Sequence, residues 1–363
     1  MQRMLCIMGG MSAGGAETIL MKIYRNLDRS LYQMDFAVTT DEKCFYDDEI
    51  EALGGRIFHI HEKAQKPLKN FCEIASLVRK EQYKCVLRAS SNTPAALDLL
   101  AAWLGGARRR VYRSTNSRAG NTKNALLVHK LCAFMPRLFA NVRIAPSTEA
   151  AEHVFGKGCI EKGTAGLLHN AVDLSVFRYD EEGRGRVRAE LGMGDGALLV
   201  GHVGRFAKQK NHPFLLEVFR EIHTRRPDAK LLLVGGGEGE EAVRRQAEAL
   251  GLKDAVVFAG VRADIPAVLS AMDVFAFPSF YEGLPNTVVE AQACGLSCVI
   301  ADTITREAAV TGLVEFLPLG DAKQWADACI ARTSEHVCTE REFIEKKYDI
   351  QSTVEAFVEY VFE

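Results

Sequence analysis

Short apolar runs alternate with helix-period stretches along nearly the whole chain, and this alternation most narrows what it can fold into. Strand-length runs separated by helices require crossover connections, which build parallel sheets covered on both faces. In the first half the strand-length runs are residues 3–8, 33–39, 56–60, 85–89, 110–113 and 142–145, with helical stretches such as 16–27, 71–81 and 93–104 between them. The pattern restarts with runs at 198–203, 230–234, 256–259, 274–277, 297–300 and 314–317. Helical stretches 212–225, 240–250, 265–271, 285–294 and 322–332 follow them. A polar, Gly- and Arg-rich stretch, 179–188, reads as a linker. Residues 1–172 and 173–345 are therefore expected to form two α/β, doubly wound, Rossmann-like domains. The segment 346–363 places Val354, Phe357, Val358, Val361 and Phe362 on one helical period. It predicts a helix that packs on one of the two domains, with a return to the first as one option.

The chain has 363 residues, enough for two such cores, and its net charge of −2 gives no global pull toward nucleic acid. No run reaches the roughly 18 to 20 apolar residues that span a bilayer. The start reads as a first strand rather than a cleaved leader. Ten cysteines are scattered without disulfide or zinc spacing, which predicts buried thiols in a cytoplasmic protein.

One block concentrates chemistry: Phe280-Tyr-Glu-Gly-Leu-Pro-Asn-Thr-Val-Val-Glu290, between an apolar run and a predicted helix. Pro285 suits a first helical turn. The N–H groups of Asn286, Thr287 and Val288 are then expected to be free for an anion such as a pyrophosphate. Glu282 falls in the loop and Glu290 on the helix, so that one carboxylate can meet a sugar and the other a ribose. A pair of solvated surface glutamates is the alternative.

Three more loops follow strand-length runs, where doubly wound sheets bind ligands. In Gly204-Arg-Phe-Ala-Lys-Gln-Lys-Asn-His212, Arg205 and Lys210 can clamp a diphosphate and Gly204 admits close backbone approach. Gly235-Gly-Gly-Glu-Gly239 implies backbone close to a ligand or to another backbone. Gly260-Val-Arg-Ala-Asp264 can seat a base against backbone groups. Near the start, Gly14 and Gly15 open the first predicted helix and offer a second place for a phosphate or an acceptor hydroxyl. Neither a G-x-G-x-x-G dinucleotide fingerprint nor a G-x-x-x-x-G-K-[ST] phosphate loop is present.

Taken together, these residues resemble the retaining glycosyltransferases of family 4, with the GT-B fold of two facing Rossmann-like domains. The wording His202-Val-Gly-Arg-Phe-Ala-Lys-Gln-Lys-Asn-His looks most like the branch that builds bacterial exopolysaccharide and capsular polysaccharide. The resemblance implies transfer of a hexose or N-acetylhexosamine from a nucleotide sugar, UDP-linked by expectation, to a hydroxyl of a cell-surface glycan or lipid-linked oligosaccharide. It implies that Arg205 and Lys210 neutralise the donor pyrophosphate, Glu290 bonds the ribose and Glu282 contacts the transferred sugar. Backbone N–H groups over Gly283, Leu284, Pro285, Asn286 and Thr287 (proline itself having none) would hold sugar and phosphate, with Gly14, Gly15, Gly204 and Gly235 admitting the donor. It implies no metal and no other cofactor, in agreement with the lack of an Asp-x-Asp motif. A nucleotide-sugar 2-epimerase of related fold and a non-catalytic nucleotide-sugar-binding subunit are the rival readings.

One departure concerns the acceptor. The related branch has histidines after the run at 110–113, where this chain reads Arg110-Val-Tyr-Arg-Ser-Thr-Asn116. Arg113 and Asn116 are the acceptor candidates, Arg113 as a site for an anionic group or as a solvent-facing strand end. The stretch 123–143 mixes apolar residues with Lys123, Lys130, Arg137 and Arg143. It is expected either to dock peripherally on an anionic membrane surface or to pack as an ordinary core helix.

Overall fold

The computed structural model describes residues 1–115, 123–194, 196–333 and 335–363, with the backbone alone for 123–126. It divides into two compact units, Met1–Ala171 with Ile350–Glu363, and Val172–Asp349.

The first unit is built on a seven-stranded sheet in the order β3-β2-β1-β4-β5-β6-β7. The strands are β1 Gln2–Met8, β2 Tyr32–Val38, β3 Ile57–His59, β4 Cys85–Ala89, β5 Arg109–Arg113, β6 Val142–Ala145 and β7 Gly166–Leu167. Every pairing is parallel. Alternate side chains feed two apolar layers. Met4, Cys6, Phe36 and Val111 pack with helix Gly15–Asn26, while Leu5, Ile7, Val86 and Tyr112 pack on the opposite face. The helix Ile350–Val361 joins the first layer through Ile350, Val354, Phe357 and Val361. Arg109 fastens its last turn by donating to the carbonyls of Tyr360 (2.8 Å) and Glu359 (2.9 Å).

The second unit holds a six-stranded sheet in the order β10-β9-β8-β11-β12-β13. Its strands are β8 Leu199–Val203, β9 Lys230–Val234, β10 Val256–Phe258, β11 Val274–Phe277, β12 Cys298–Ala301 and β13 Val314–Leu317, again all parallel. Nearly every residue of β8, β9, β11 and β12 is buried, as expected of strands covered on both faces.

The expected linker at 179–188 is corrected by the structure. Glu181–Glu190 is a helix of the second unit, N-capped by Asp180, whose Oδ1 accepts from Gly183 N at 2.9 Å. Arg184 and Arg188 turn inward to Asp273 (2.6 and 3.1 Å) and to the carbonyl ends of helix Ile265–Ala271. Gly183 lies so close to Ala267 that a Cβ there would approach its methyl to 2.7 Å. Composition suggested a polar linker because the arginines are internal helix clamps, which no periodicity reveals.

Candidate functional site

In a doubly wound sheet the strand order reverses at one point, and the loops leaving the two central strands part there to form a crevice. In the second unit that point lies between β8 and β11. The loop with Arg205 and Lys210 leaves β8, and the loop with Glu282 leaves β11, so topology brings together the two motifs that stand farthest out in sequence.

The two loops are fastened to each other. Phe280 N donates to Gln209 O (2.9 Å), and Gln209 Nε2 donates to Tyr281 O (2.8 Å). Lys210 Nζ donates to Glu282 Oε1 at 2.8 Å and stands 4.5 Å from the centre of the Phe277 ring. Asn211, at φ 55°, turns the first loop sharply into helix His212–Arg225, in a conformation that asparagine tolerates better than most residues. Arg205 is exposed and lines a cavity of about 550 Å³ with Phe206, Lys208, Gly237 and Glu238.

The acidic helix spans Asn286–Ala293, with Pro285 as the residue before it rather than in its first turn. Val288 N donates to Pro285 O at 3.2 Å, so the expectation of a free N–H at Val288 is corrected. The first-turn N–H groups of Asn286 and Thr287 still precede the first full helical bond. Gly283, Leu284 and Pro285 are buried, as is Glu290, whereas Glu282 is half-buried beside Lys210.

Gly204 and Gly235 meet each other. A side chain on Gly235 would strike the carbonyl of Gly204, and one on Gly237 would come within 2.9 Å of Phe206 N. Phe206 N donates to Gly236 O (3.0 Å) and Gly239 N to Phe206 O (3.0 Å). Of the two partners open to the glycine run, another backbone is the one seen. In the third loop, Arg262 is taken up by Asp264 (2.7 Å) and Glu190 (3.0 Å).

Sequence reasoning gave no role to two histidines beneath the Lys210 loop. His202 sits near the end of β8, fully buried, with Nδ1 2.9 Å from Ala276 O. His212 packs edge-on against it, ring centres 4.9 Å apart, and Phe206 stacks on His212 at 4.5 Å. Burial, together with the neighbouring His212 and Lys210, pushes His202 well below its ordinary pKa. Burial and Lys210 lower His212 to about 4. Both rings are uncharged near neutral pH, so they add no positive charge beneath Lys210. A histidine inside an otherwise apolar strand was the available signal.

In the first unit, Gly14 precedes helix Gly15–Asn26, and the Glu17 carboxylate lies over it. The chain's own acid thus lies at the positive helix end where a phosphate or an acceptor hydroxyl was expected. Arg113 is only 1% exposed, donates to Asn170 Oδ1 (2.6 Å), and is lowered by burial to about 10. The solvent-facing alternative for Arg113 is therefore corrected: it is a buried cation at the end of β5. Asn116 lies outside the described residues.

Comparison with known proteins follows the same lines. The family described as Glycosyl transferases group 1 matches residues 197–334, the part that carries both fastened loops. EpsF of Bacillus subtilis (strain 168), a glycosyltransferase by name, is 34% identical over 98% of this chain and 95% of its own. The Escherichia coli UDP-Gal:alpha-D-GlcNAc-diphosphoundecaprenol alpha-1,3-galactosyltransferase is 28% identical over 65% of this chain and 62% of its own. Among solved structures, HepE of Anabaena in complex with UDP superposes with a TM-score of 0.80 over 99% of both chains at 19% identity.

Proposed function

Because this chain belongs to the group 1 glycosyltransferases and has their GT-B fold, we propose that the loops after β8 and β11 grip a UDP-sugar and that the enzyme passes its glycosyl group, with retention and without a metal, to a hydroxyl of a cell-surface glycan or lipid-linked oligosaccharide. The observation that carries this reading is the Lys210–Glu282 pair at the second unit's switch point. It places a cation suited to a diphosphate beside a carboxylate suited to sugar hydroxyls.

Each residue then has a task. Arg205 and Lys210 neutralise the diphosphate, and the N–H groups of Asn286 and Thr287 add fixed dipoles where its charge grows as it leaves. Glu290 accepts from the ribose hydroxyls, and Glu282 from those of the transferred sugar. In the transfer, the bond from the anomeric carbon to the phosphate oxygen breaks and its electron pair stays with the diphosphate. The acceptor oxygen bonds to the anomeric carbon on the same face, and its proton passes to the departing phosphate oxygen. Support for uridine comes from HepE, whose fold is the same and which has been solved with UDP-glucose. Support for a lipid-linked acceptor comes from the E. coli relative, named for a diphosphoundecaprenol substrate.

Peripheral docking at the inner face of the cell membrane belongs to the same reading. No helix among the described residues is long and apolar enough to cross a bilayer. Yet Leu127, Val128, Leu131, Phe134 and Leu138 are exposed on the same stretch as Lys130 and Arg137, a basic and apolar surface suited to anionic lipid. Flotation with anionic liposomes at low salt is the expected result, and failure to float at any salt concentration removes the docking surface.

The central test is release of nucleotide from a panel of UDP-sugars. Release that depends on an acceptor is expected. A new sugar nucleotide formed without acceptor would mean epimerisation, and thermal stabilisation without any turnover would mean a binding subunit.

A further inference from the structure

The first unit has a switch point of its own, between β1 and β4. A cavity of about 520 Å³ opens there, within the usual range for small-ligand sites. Ile7 from β1, Arg88 from β4 and Thr39 just past β2 form its floor, and His129 of helix Lys123–Leu131 closes one side.

Its charges do not balance. Asp98 is 3% exposed and is shared by two cations, Arg88 (Nε to Oδ2, 2.9 Å) and Lys63 on the other oxygen. Asp98 is the only acid among the described lining residues, which leaves one formal positive charge over. No Asp or Glu occurs anywhere from residue 99 to 148, so the helical wall and the segments flanking it supply none. Nearby Glu73 is held by the ring and the amide of His61 (2.8 and 2.9 Å). A partly buried excess charge is costly unless a counter-charge reaches it.

Its hydrogen bonds do not balance either. Asn70 is 1% exposed; its Nδ2 donates to His61 O at 2.7 Å, while Oδ1 is buried without a partner among the described residues. His129 is 7% exposed, with Nε2 directed at His153 O (3.1 Å). In the tautomer with Nε2 donating, Nδ1 presents a lone pair, and it too is buried without a partner among the described residues. Two residues that line one cavity thus each hold a buried acceptor without a donor, which two donors from a ligand would satisfy.

We propose that this cavity is the acceptor subsite and receives a sugar that carries an anionic group, either a carboxylate or a phosphate. Its anionic group faces Arg88 and Lys63, two of its hydroxyls donate to Asn70 Oδ1 and His129 Nδ1, and its C–H face lies on Ile7, Pro94, Ala95 and Val128. The term acceptor rests on the transferase reading above; the binding of the anionic sugar does not.

The test therefore omits the donor. Glucuronate, glucose 6-phosphate and glucose are titrated against the full chain at millimolar concentration and followed by saturation-transfer NMR. At least one of the two anionic sugars is expected to bind about tenfold more tightly than glucose. Which of them does so identifies carboxylate or phosphate as the recognised group. Lys63→Gln is expected to erase most of that preference while UDP binding and melting temperature stay at wild-type values, which separates recognition from folding. Equal binding of all three sugars, binding of none, or an unchanged preference in Lys63→Gln overturns the proposal. Absence of acceptor-dependent nucleotide release with intact anionic-sugar binding would instead sink the transferase reading alone.

Discussion

The two units solve the same topological problem with opposite electrostatics. At the second unit's switch point the chain pairs its own charges, with Lys210 on Glu282 and the two loops joined through Gln209. At the first unit's switch point the described residues leave one cation over and two acceptors without donors. A self-compensated crevice can keep its shape while empty. An uncompensated one depends on its ligand for its last interactions. The proposed nucleotide sugar suits the former, and the proposed anionic sugar suits the latter.

This contrast can be broken in several places. The largest expected effect is on folding of the first unit. Phe357→Ala removes a fully buried ring from the seam under helix Gly15–Asn26 and should destabilise that unit by about 3 to 5 kcal/mol, seen as loss of its unfolding transition in denaturant. Lys210→Ala should lower kcat by on the order of 100- to 1,000-fold. Wild-type turnover in that variant would dismantle the site. Glu290→Ala should weaken UDP-sugar binding by about 1.5 to 3 kcal/mol in calorimetry, the range for a hydrogen bond to a charged group.

The most gradual effect is a pH slope. The rings of His202 and His212 stay uncharged in the folded chain, the latter down to about pH 4, whereas unfolded histidines take up protons near pH 6.5. Between these values the unfolded state binds more protons, so stability falls as pH drops through that window. Each ring contributes up to about 1.4 kcal/mol per pH unit. Melting curves at pH 7.5 and 5 should show the loss, and His212→Gln should flatten it.

Much of this was legible in advance because strand ends and loop chemistry are local. The runs at 85–89, 142–145, 230–234, 274–277 and 314–317 coincide with β4, β6, β9, β11 and β13. Gly166–Leu167 went unseen, since two residues make no periodic signal. Arg205, Lys210, Glu282 and Glu290 stood out because they crowd two short segments. Lys63, Asn70, Arg88, Asp98 and His129 did not, because only chain topology gathers five scattered residues around one hollow. Partner identity was equally hidden: Gly235 faces a carbonyl, and Glu17 covers the helix end that seemed open to phosphate.

Helix Ile350–Val361 has a further consequence for biosynthesis. Strands β1 to β7 leave the ribosome long before the helix that covers Leu20, Ile23 and their neighbours. At ordinary translation speeds the gap is roughly 10 to 35 s, in which the nascent half presents a bare greasy stripe to chaperones. Messages cut short after the second sheet should therefore yield aggregates rather than half an enzyme.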